Sequence, residues 1–337
     1  MAISGIRRLT YLVDDVRACT KFFNDFGLSL IEENATSACM AVASGADVRL
    51  LQRGHPDLPT GNSQTGIGVV ECVWAVDSRE ALDALCEDLM LDHSLSTDAE
   101  GIVHFITAFG QAIGLQVWEP RQVFGAPSTS NTPGYIGRLN QGRKWLDRAL
   151  PKRIHHVVWT FPDVDEALDF YRDRLNFRVT DIQKGFGVYI RADGAFEHHN
   201  VFVANAHAGM PGFDGTLKFH HANFEVEDID EIMVAKNYMD RRGYAMGEWG
   251  IGRHRQTSAA FLYLPCPAGG EAEYGADCDC LDDSWRPRIW GGAFATAIFM
   301  HNLPEWMMGE PDWDVTYARP DQHHFLPATP RVAEAAE

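Results

Sequence analysis

Apolar and polar positions along the chain repeat one plan, in which an alternating strand is followed by an acidic turn and an amphipathic helix. Residues 6–30 and 154–179 share this plan, each with "DV" after the strand and an aromatic pair within the helix. Asp163 precedes the later helix as the predicted N-cap. The apolar residues of that helix fall on one face: Val164, Ala167, Leu168, Tyr171 and Leu175. The pattern predicts a helix packed on a sheet.

Two further copies of the plan begin near residues 69 and 219, which makes four units of roughly 60–75 residues. We therefore predict an α+β fold of four βαβββ units in two domains, 1–124 and 151–290. The segment 125–150 between them shifts to Pro, Gly, Ser and basic residues and is predicted to be a linker. The tail, 291–337, has no repeat partner and is expected to cap the second domain or form a lid.

The composition is that of a globular protein with a sizeable core and a small-molecule or protein ligand. The 337 residues are 45% hydrophobic and 23% charged, and the formal net charge of −18 disfavours nucleic acid or an anionic membrane as the main partner. The apolar stretch 291–300 is far shorter than the roughly 20 residues of a membrane span. The sequence starts without a secretion signal, so a cytoplasmic protein is expected. Cys278 and Cys280 lack a second matching pair, which argues against a zinc site there.

Three doubled histidines stand in predicted strands of the second half, at 155–156, 198–199 and 220–221. Successive side chains of a strand point to opposite faces, so only one imidazole of each pair is expected to face the interior. The alternation in 219–226 predicts that His221 shares a face with Asn223 and that His220 points away. Residues 1–124 contain no doubled histidine. Histidines needed only for packing would be expected in both halves, so the pairs indicate chemistry in the second half.

A longer motif surrounds these pairs. Residues 250–277, "GIGRHRQTSAAFLYLPCPAGGEAEYGAD", combine Gly-Arg-His, an aromatic-Tyr strand, a Pro-x-Gly turn and Glu-Tyr-Gly, and "WRPRIWG" follows at 285–291. Together with "IHHVVW" and "FHHANFEV", this region resembles the two-domain type I extradiol dioxygenases of the vicinal oxygen chelate superfamily. Over 1–124 the resemblance is one of topology alone. It implies that paired units curl into an open barrel around a metal ion.

The resemblance implies a metal centre made by His156, His221 and Glu273. Two imidazoles and one carboxylate are the ligand set of mononuclear Fe(II) oxygenases, and Mn(II) accepts the same ligands. His155 is then expected to be a packing or hydrogen-bonding residue. The places that we align with the three ligands in the first half hold Arg8, Glu71 and Val117. Those residues cannot assemble a divalent metal site, so the first domain is predicted to carry no metal.

Three further residues match family positions with catalytic roles. His199 matches the acid–base histidine, which supplies a proton as the O–O bond breaks. His254 and Tyr263 match residues that hydrogen-bond the oxygens of the substrate. A histidine on a polar strand face and an ordinary strand tyrosine remain the structural alternatives for His199 and Tyr263.

The implied function is ring cleavage of a catechol next to its two hydroxyls, with dioxygen as the second substrate, in an enzyme expected to be a homo-oligomer. A glyoxalase-like metal-dependent lyase or isomerase and a non-catalytic binding protein of the same fold are the alternatives. The type of catechol stays open from the sequence. Four arginines suit a carboxylated ring: Arg253, Arg255, Arg286 and Arg288. Five aromatic residues suit an apolar or two-ring diol: Trp159, Phe186, Phe202, Trp249 and Phe294.

Overall fold

The computed structural model describes residues 3–210, 212–309 and 313–328, and the strands of the first half form one eight-stranded sheet. The elements of this half are β1 (Ile3–Val13), α1 (Val16–Phe26), β2 (Ser29–Glu33), β3 (Ser37–Ala41), β4 (Asp47–Gln52), β5 (Gly68–Val76), α2 (Arg79–Leu89), β6 (Ser96–Thr97), β7 (Val103–Ile106) and β8 (Ala112–Val117). The strand order is β2-β3-β4-β1-β5-β8-β7-β6, with β1 and β5 antiparallel at the centre. Two βαβββ units therefore meet edge to edge.

The second half repeats this arrangement and extends it. Its first ten elements are β9 (Arg153–Phe161), α3 (Val164–Asp173), β10 (Arg178–Gln183), β11 (Gly187–Arg191), β12 (Val201–Asn205), β13 (Lys218–Glu225), α4 (Ile229–Asp240), β14 (Ile251–Arg253), β15 (Ala260–Pro265) and β16 (Glu271–Ala276). Strands β9 and β13 pair antiparallel at the centre, as β1 and β5 do. The predicted α+β fold of repeated βαβββ units is confirmed.

The chain after β16 adds strands to both edges of this second sheet. It contains β17 (Arg288–Trp290), α5 (Gly292–Thr296), β18 (Phe299–Met300), a 3₁₀ turn (Glu305–Met307), β19 (Val315–Tyr317) and a second 3₁₀ turn (Pro320–Gln322). The strand order is β18-β14-β15-β16-β13-β9-β12-β11-β10-β17-β19. Strands β17 and β18 lie toward opposite ends of the sheet, and α5 in the segment that joins them brings Thr296 to the cavity described below. Residues 310–312 and 329–337 of the predicted tail lie outside the described residues.

Side-chain caps explain where the helices begin. The Asp163 side chain accepts a hydrogen bond from the backbone N–H of Glu166, as the sequence predicts, and Asp15 caps α1 in the same way through Ala18. All five residues of the predicted apolar stripe are buried, although Leu175 lies just beyond the end of α3. Among the described residues no helix is long and apolar enough to cross a membrane.

One apolar core runs through both halves. Phe26 at the end of α1 stacks on Tyr274 of β16, with ring centroids 3.8 Å apart, and the Tyr274 hydroxyl donates to the Phe26 carbonyl at 2.8 Å. On the other side of the molecule, Trp74 of β5 packs against Phe177 at 5.1 Å. These reciprocal contacts bury the strands of the second sheet on their outer face, which leaves the concave face for a site.

Candidate active site

Three adjacent strands of the second sheet bring His156, His221 and Glu273 together. His156 lies on β9, His221 on β13 and Glu273 on β16, and β13 pairs with the strand on either side of it. The two imidazole Nε2 atoms are 3.4 Å apart, and Glu273 Oε2 lies 3.3 Å and 3.4 Å from them. Among the described residues this is the one group of three or more metal-binding side chains with donor atoms this close.

The donor set fits a divalent metal ion. Bonds of about 2.0–2.2 Å to one ion place neighbouring donor atoms roughly 2.8–3.6 Å apart, which brackets the observed spacing. Glu273 Oε2 is buried and has no hydrogen-bond partner. A positive ion bound here would balance the charge of this carboxylate. Burial raises the pKa of Glu273 to about 7 and lowers the pKa of His156 to about 3. Neutral imidazoles are the form that binds metal.

Each of the three doubled histidines at 155–156, 198–199 and 220–221 places the first ring against the second. The Nδ1 atoms are 2.9 Å apart in His155–His156, 3.3 Å apart in His198–His199 and 2.6 Å apart in His220–His221. In all three pairs the second histidine thus keeps Nε2 free while its Nδ1 is held by the ring before it. Metal-bound histidines usually have such a partner for the other ring nitrogen, which fixes the ring orientation.

The prediction that His220 points away from His221 is wrong. The pairing of β13 with β9 shifts register between Phe219 and His221, so a bulge interrupts the alternation at His220. Both rings of the pair therefore line the same cavity. The alternation does hold in β9, where His156 and Val158 line the cavity and His155 does not. His155 is buried against His156, in keeping with a packing and hydrogen-bonding residue.

His199 lies just before β12, with its ring centroid 4.1 Å from that of His156 and 5.0 Å from that of Tyr189. Burial, followed by the neighbouring histidines, lowers the pKa of His199 well below its ordinary value. The ring is therefore neutral at rest and has one nitrogen able to accept a proton.

His254 and Tyr263 form a hydrogen-bonded pair on the other side of the metal-binding triad. His254 Nε2 and the Tyr263 hydroxyl are 3.2 Å apart, and His254 Nδ1 lies 2.7 Å from the Thr296 carbonyl. Tyr263 is also the cross-strand neighbour of Glu273. Burial raises the pKa of Tyr263 well above its ordinary value, so its hydroxyl stays a hydrogen-bond donor.

All six predicted site residues line one cavity of about 440 Å³. Its apolar wall includes Phe186, Phe202 and Trp249, as predicted, but Trp159 and Phe294 lie elsewhere. Trp159 is on the opposite face of β9, where its indole N–H donates to Gln64 of the first half at 2.9 Å. Phe294 packs on Trp290 and Trp313 of the tail.

None of the four arginines considered for a carboxylated substrate lines the cavity. Arg253 pairs with Asp277 at 2.7 Å, and Arg288 pairs with Asp181 at 2.7 Å. Arg255 donates to the Phe294 carbonyl, and Arg286 lies over the Tyr317 ring.

Several cavity residues carry no motif in the sequence. The Tyr189 hydroxyl donates to Gln183 at 2.9 Å and accepts from Gln256 at 2.7 Å, and all three line the wall beside His199. Thr296 comes from the tail and Ile67 from the first half. They come from separate elements, so only the folded chain brings them together.

The first half has an ion-pair cluster where the second has its triad. Arg8 binds Asp47 at 2.6 Å, and Glu71 lies 2.6 Å from His104 Nδ1. Our alignment of Val117 with Glu273 is wrong: His221 pairs with Glu271, and Glu71 with Ala112, so the register matches Glu273 to Gly114. A Cβ atom at Gly114 would lie 2.8 Å from Val73, which leaves no space there for a ligand side chain.

Comparison with known proteins places these features in context. Residues 153–263 match the Glyoxalase/Bleomycin resistance protein/Dioxygenase superfamily. Metapyrocatechase 2 of Cupriavidus necator is 35% identical over 282 residues, which are 83% of this chain and 83% of that protein. Biphenyl-2,3-diol 1,2-dioxygenase of Paraburkholderia xenovorans is 27% identical over 203 residues, 57% of this chain and 61% of that enzyme.

Two more distant relatives carry a metal in their names. An iron-dependent extradiol dioxygenase of Rhodococcus jostii is 27% identical over 43% of this chain and 52% of its own length. A manganese-dependent 2,3-dihydroxybiphenyl 1,2-dioxygenase of Geobacillus is 24% identical over 42% of this chain and 44% of its own length.

Solved structures share the fold. A halotolerant catechol dioxygenase superposes with a TM-score of 0.68 at 18% identity and covers 89% of this chain and 94% of its own. The Mn(II)-bound glyoxalase of Novosphingobium aromaticivorans has the same TM-score and identity, over 96% of this chain and 99% of its own. Because catechol dioxygenases and a glyoxalase share this fold, structural similarity alone does not show which reaction this chain catalyses.

Proposed function

Since the chain belongs to the extradiol ring-cleavage dioxygenases of the vicinal oxygen chelate superfamily, we propose that His156, His221 and Glu273 hold its Fe(II) and that it opens a catechol ring with dioxygen. The observation that carries this assignment is the triad itself. Three buried donor atoms lie 3.3–3.4 Å apart, one of them a carboxylate oxygen without a hydrogen bond. Mn(II) is the alternative metal, because the same ligands accept either ion.

The bound ion supplies the chemistry that amino acids lack: it lowers the pKa of the catechol hydroxyls and holds the ring next to dioxygen. The surrounding side chains then move protons and fix the ring. His199 Nε2 accepts a proton from the catechol and returns it as the O–O bond breaks. The Tyr263 hydroxyl, which donates to His254 Nε2 at 3.2 Å, turns to donate its hydrogen to a substrate oxygen when the catechol binds.

The cavity favours an uncharged catechol with an apolar substituent, up to a two-ring diol. Phe186, Phe202 and Trp249 supply a wall that a second ring can stack on, and among the described residues no arginine lines the cavity. The Lys218 ammonium at its edge is already paired with Asp214 at 3.3 Å. A carboxylated ring would therefore be buried without a bidentate partner.

The two domains and the tail take different roles in this proposal. The first domain, 1–124, carries no metal and supports the second sheet, and the linker is 125–150. The catalytic domain is 151–290. The tail is 291–337, and the described part of it covers the cavity: Thr296 lines it, and the Thr296 carbonyl accepts a hydrogen bond from His254.

Anaerobic loading with Fe(II), followed by a panel of catechols under air, tests the proposed activity. We expect oxygen uptake and a yellow ring-opened product, with catechol and 2,3-dihydroxybiphenyl cleaved and a carboxylated catechol at least about tenfold less efficient in kcat/KM. Metal-dependent isomerisation of a thiol adduct without oxygen uptake would favour a glyoxalase instead. Binding of diols without turnover would favour a non-catalytic protein.

The homo-oligomer expected from the sequence stays a prediction, and the segment 119–148 supports it. This segment exposes Phe124, Ile136, Leu139 and Trp145, the last with 99% of its surface accessible. Changing Ile136 and Leu139 to Asp is expected to convert an oligomer into monomers in analytical ultracentrifugation. Leu91→Asp, at an exposed leucine on the helix side of the first half, is the matched control and should leave the oligomer intact. A monomeric wild type would make the prediction wrong.

The charge of −18 gives no reason to propose nucleic acid or a membrane as a partner.

A further inference from the structure

Behind His199 lies a buried chain of hydrogen bonds that none of the roles above uses. His199 Nδ1 is 3.3 Å from His198 Nδ1, and His198 Nε2 is 3.1 Å from Asp181 Oδ2. Asp181 and His198 are both fully buried, and neither lines the cavity. The chain therefore starts inside the protein and ends at the ring that faces the substrate.

The partners of Asp181 set the direction of every bond in this chain. The Arg288 guanidinium donates to Asp181 at 2.7 Å, the Arg288 backbone N–H at 2.9 Å and the Trp290 indole N–H at 2.9 Å. Both carboxylate oxygens of Asp181 accept hydrogen bonds from these donors, so His198 Nε2, which contacts Oδ2, carries a hydrogen and donates it. A neutral His198 then has a bare Nδ1, which accepts from His199 Nδ1–H. The nitrogen left to face the cavity is His199 Nε2, with its lone pair free.

In the other two of these three histidine pairs, the first histidine has no such hydrogen bond to a carboxylate. The Nε2 atom of His155 is buried without a hydrogen-bond partner, and His220 is part of the cavity wall. Of these three pairs, the one that holds the proposed proton carrier has its first histidine hydrogen-bonded to a carboxylate, whereas in the two pairs that hold metal ligands the nearby carboxylate, Glu273, lies at the second histidine. A metal-binding ring is oriented by its ion as well as by its neighbours, whereas a proton carrier is oriented by its neighbours alone.

The carboxylate is held in turn by the C-terminal part of the chain. Strand β17 runs parallel to β10, and Arg288 is the register partner of Asp181. Arg288 also donates to the Gln256 carbonyl at 2.6 Å, and the Trp290 indole donates to Asp181 Oδ2, the same oxygen that His198 contacts. The pairing of β17 with β10 thus supplies hydrogen-bond donors to Asp181, a residue that does not line the cavity.

We propose that Asp181 and His198 are positioning residues that keep His199 in its Nδ1–H form with Nε2 free, and that β17 is the element that fixes Asp181. The inference rests on the proposed role of His199. It gives β17 a role in the site although the strand does not line the cavity.

The imidazole tautomers can be read directly, without any turnover. In metal-free protein labelled with ¹⁵N-histidine, above the ordinary histidine pKa of about 6.5, ¹⁵N–¹H correlation spectra show which ring nitrogen is protonated. The His199 resonances are assigned by their loss in His199→Gln. We expect Nδ1–H for His199 and Nε2–H for His198. The opposite tautomer of His199 would overturn the inference whatever the activity of the enzyme.

Asp181→Asn is the decisive variant, because an amide can donate where the carboxylate only accepts. With the amide nitrogen in the Oδ2 place beside His198, the bonds run in reverse, and His199 is left with its hydrogen on Nε2. We expect this inverted tautomer in the spectra, with kcat reduced about 10²–10⁴-fold while iron content and the KM for the catechol hold. Unchanged kcat with an inverted tautomer would also overturn the inference.

Two companion variants separate positioning from loss of structure. Trp290→Phe removes one donor to Asp181 and leaves His198 its acceptor, so the tautomer should persist and kcat should fall by less than about tenfold. Arg288→Lys keeps a cation beside Asp181 and should rescue most of the activity that Arg288→Met loses. If Asp181→Asn fails to fold, the contrast of Arg288→Met with Arg288→Lys decides, and equal activity in the two would count against the inference. If the wild-type tautomer is as expected but no catechol is cleaved, the proposed function fails and the positioning inference stands.

Discussion

Replacing Glu273 with glutamine is expected to abolish iron binding and ring cleavage together. The amide keeps the size of the side chain but removes the single negative charge among the three proposed ligands. Changes to residues that merely support a metal ligand typically cost about 10–100-fold in metal affinity, so loss of a ligand charge should cost more than about 100-fold. Iron per protein chain, measured after anaerobic loading and desalting, should fall close to zero, and oxygen uptake with any catechol should fall to background.

Glu271 provides a matched control for this experiment. It lies two residues earlier on β16, lines the same cavity and is not among the three donor residues. Glu271→Gln removes the same charge from the same wall and should keep iron near the wild-type level. Iron retained by Glu273→Gln, or lost from Glu271→Gln, would contradict the assignment of the ligands.

Glu273→Gln should also stabilise the protein when no metal is present. Burial raises the pKa of Glu273 from 4.5 to about 7, so the folded chain favours the protonated carboxyl. The stability that depends on this group is complete below pH 4.5 and is lost as the pH rises through about 7, by about 3 kcal/mol in all. The buried histidines act in the opposite direction, since their pKa values are lowered, but they are common to both proteins. The difference in unfolding free energy between Glu273→Gln and wild type should therefore grow from pH 4.5 to 7 in urea titrations of metal-free protein.

Local patterns in the sequence predict some elements of the fold but do not by themselves select the site residues. Helical periodicity and the Asp163 cap predict α3 correctly, because a helix and its cap depend on residues close in the chain. The six site residues lie on or beside six different strands, and only resemblance to a family selects them before the fold is known. Alternation alone misplaces His220, because a bulge depends on the pairing partner of β13 and leaves no mark in its own residues.

The long-range contacts were the least predictable part of the molecule. Asp181 looks like an ordinary strand residue, and its importance appears only when β17, more than a hundred residues later, docks beside it. In the same way, Trp159 is a residue type common in pockets, but its side chain faces the first half. Side chains alternate along a strand, so it is the neighbours of Trp159 that face the cavity. The error over Val117 arose because loops of unequal length shift a repeat alignment, while the register of paired strands keeps the equivalent positions.

Exchanging His199 for phenylalanine should separate the proton-transfer step from metal binding. Phenylalanine preserves a planar ring against Tyr189 and His156 but has no nitrogen to take up a proton. General acid–base catalysis by one side chain contributes about 10²–10⁴-fold, so kcat for catechol cleavage should fall by that factor with iron content unchanged. His207→Phe, at an exposed histidine outside the cavity, is the control and should leave both quantities at wild-type values. If His199→Phe instead loses its iron, then His199 helps to hold the ion, and the division between three ligands and one proton carrier is wrong.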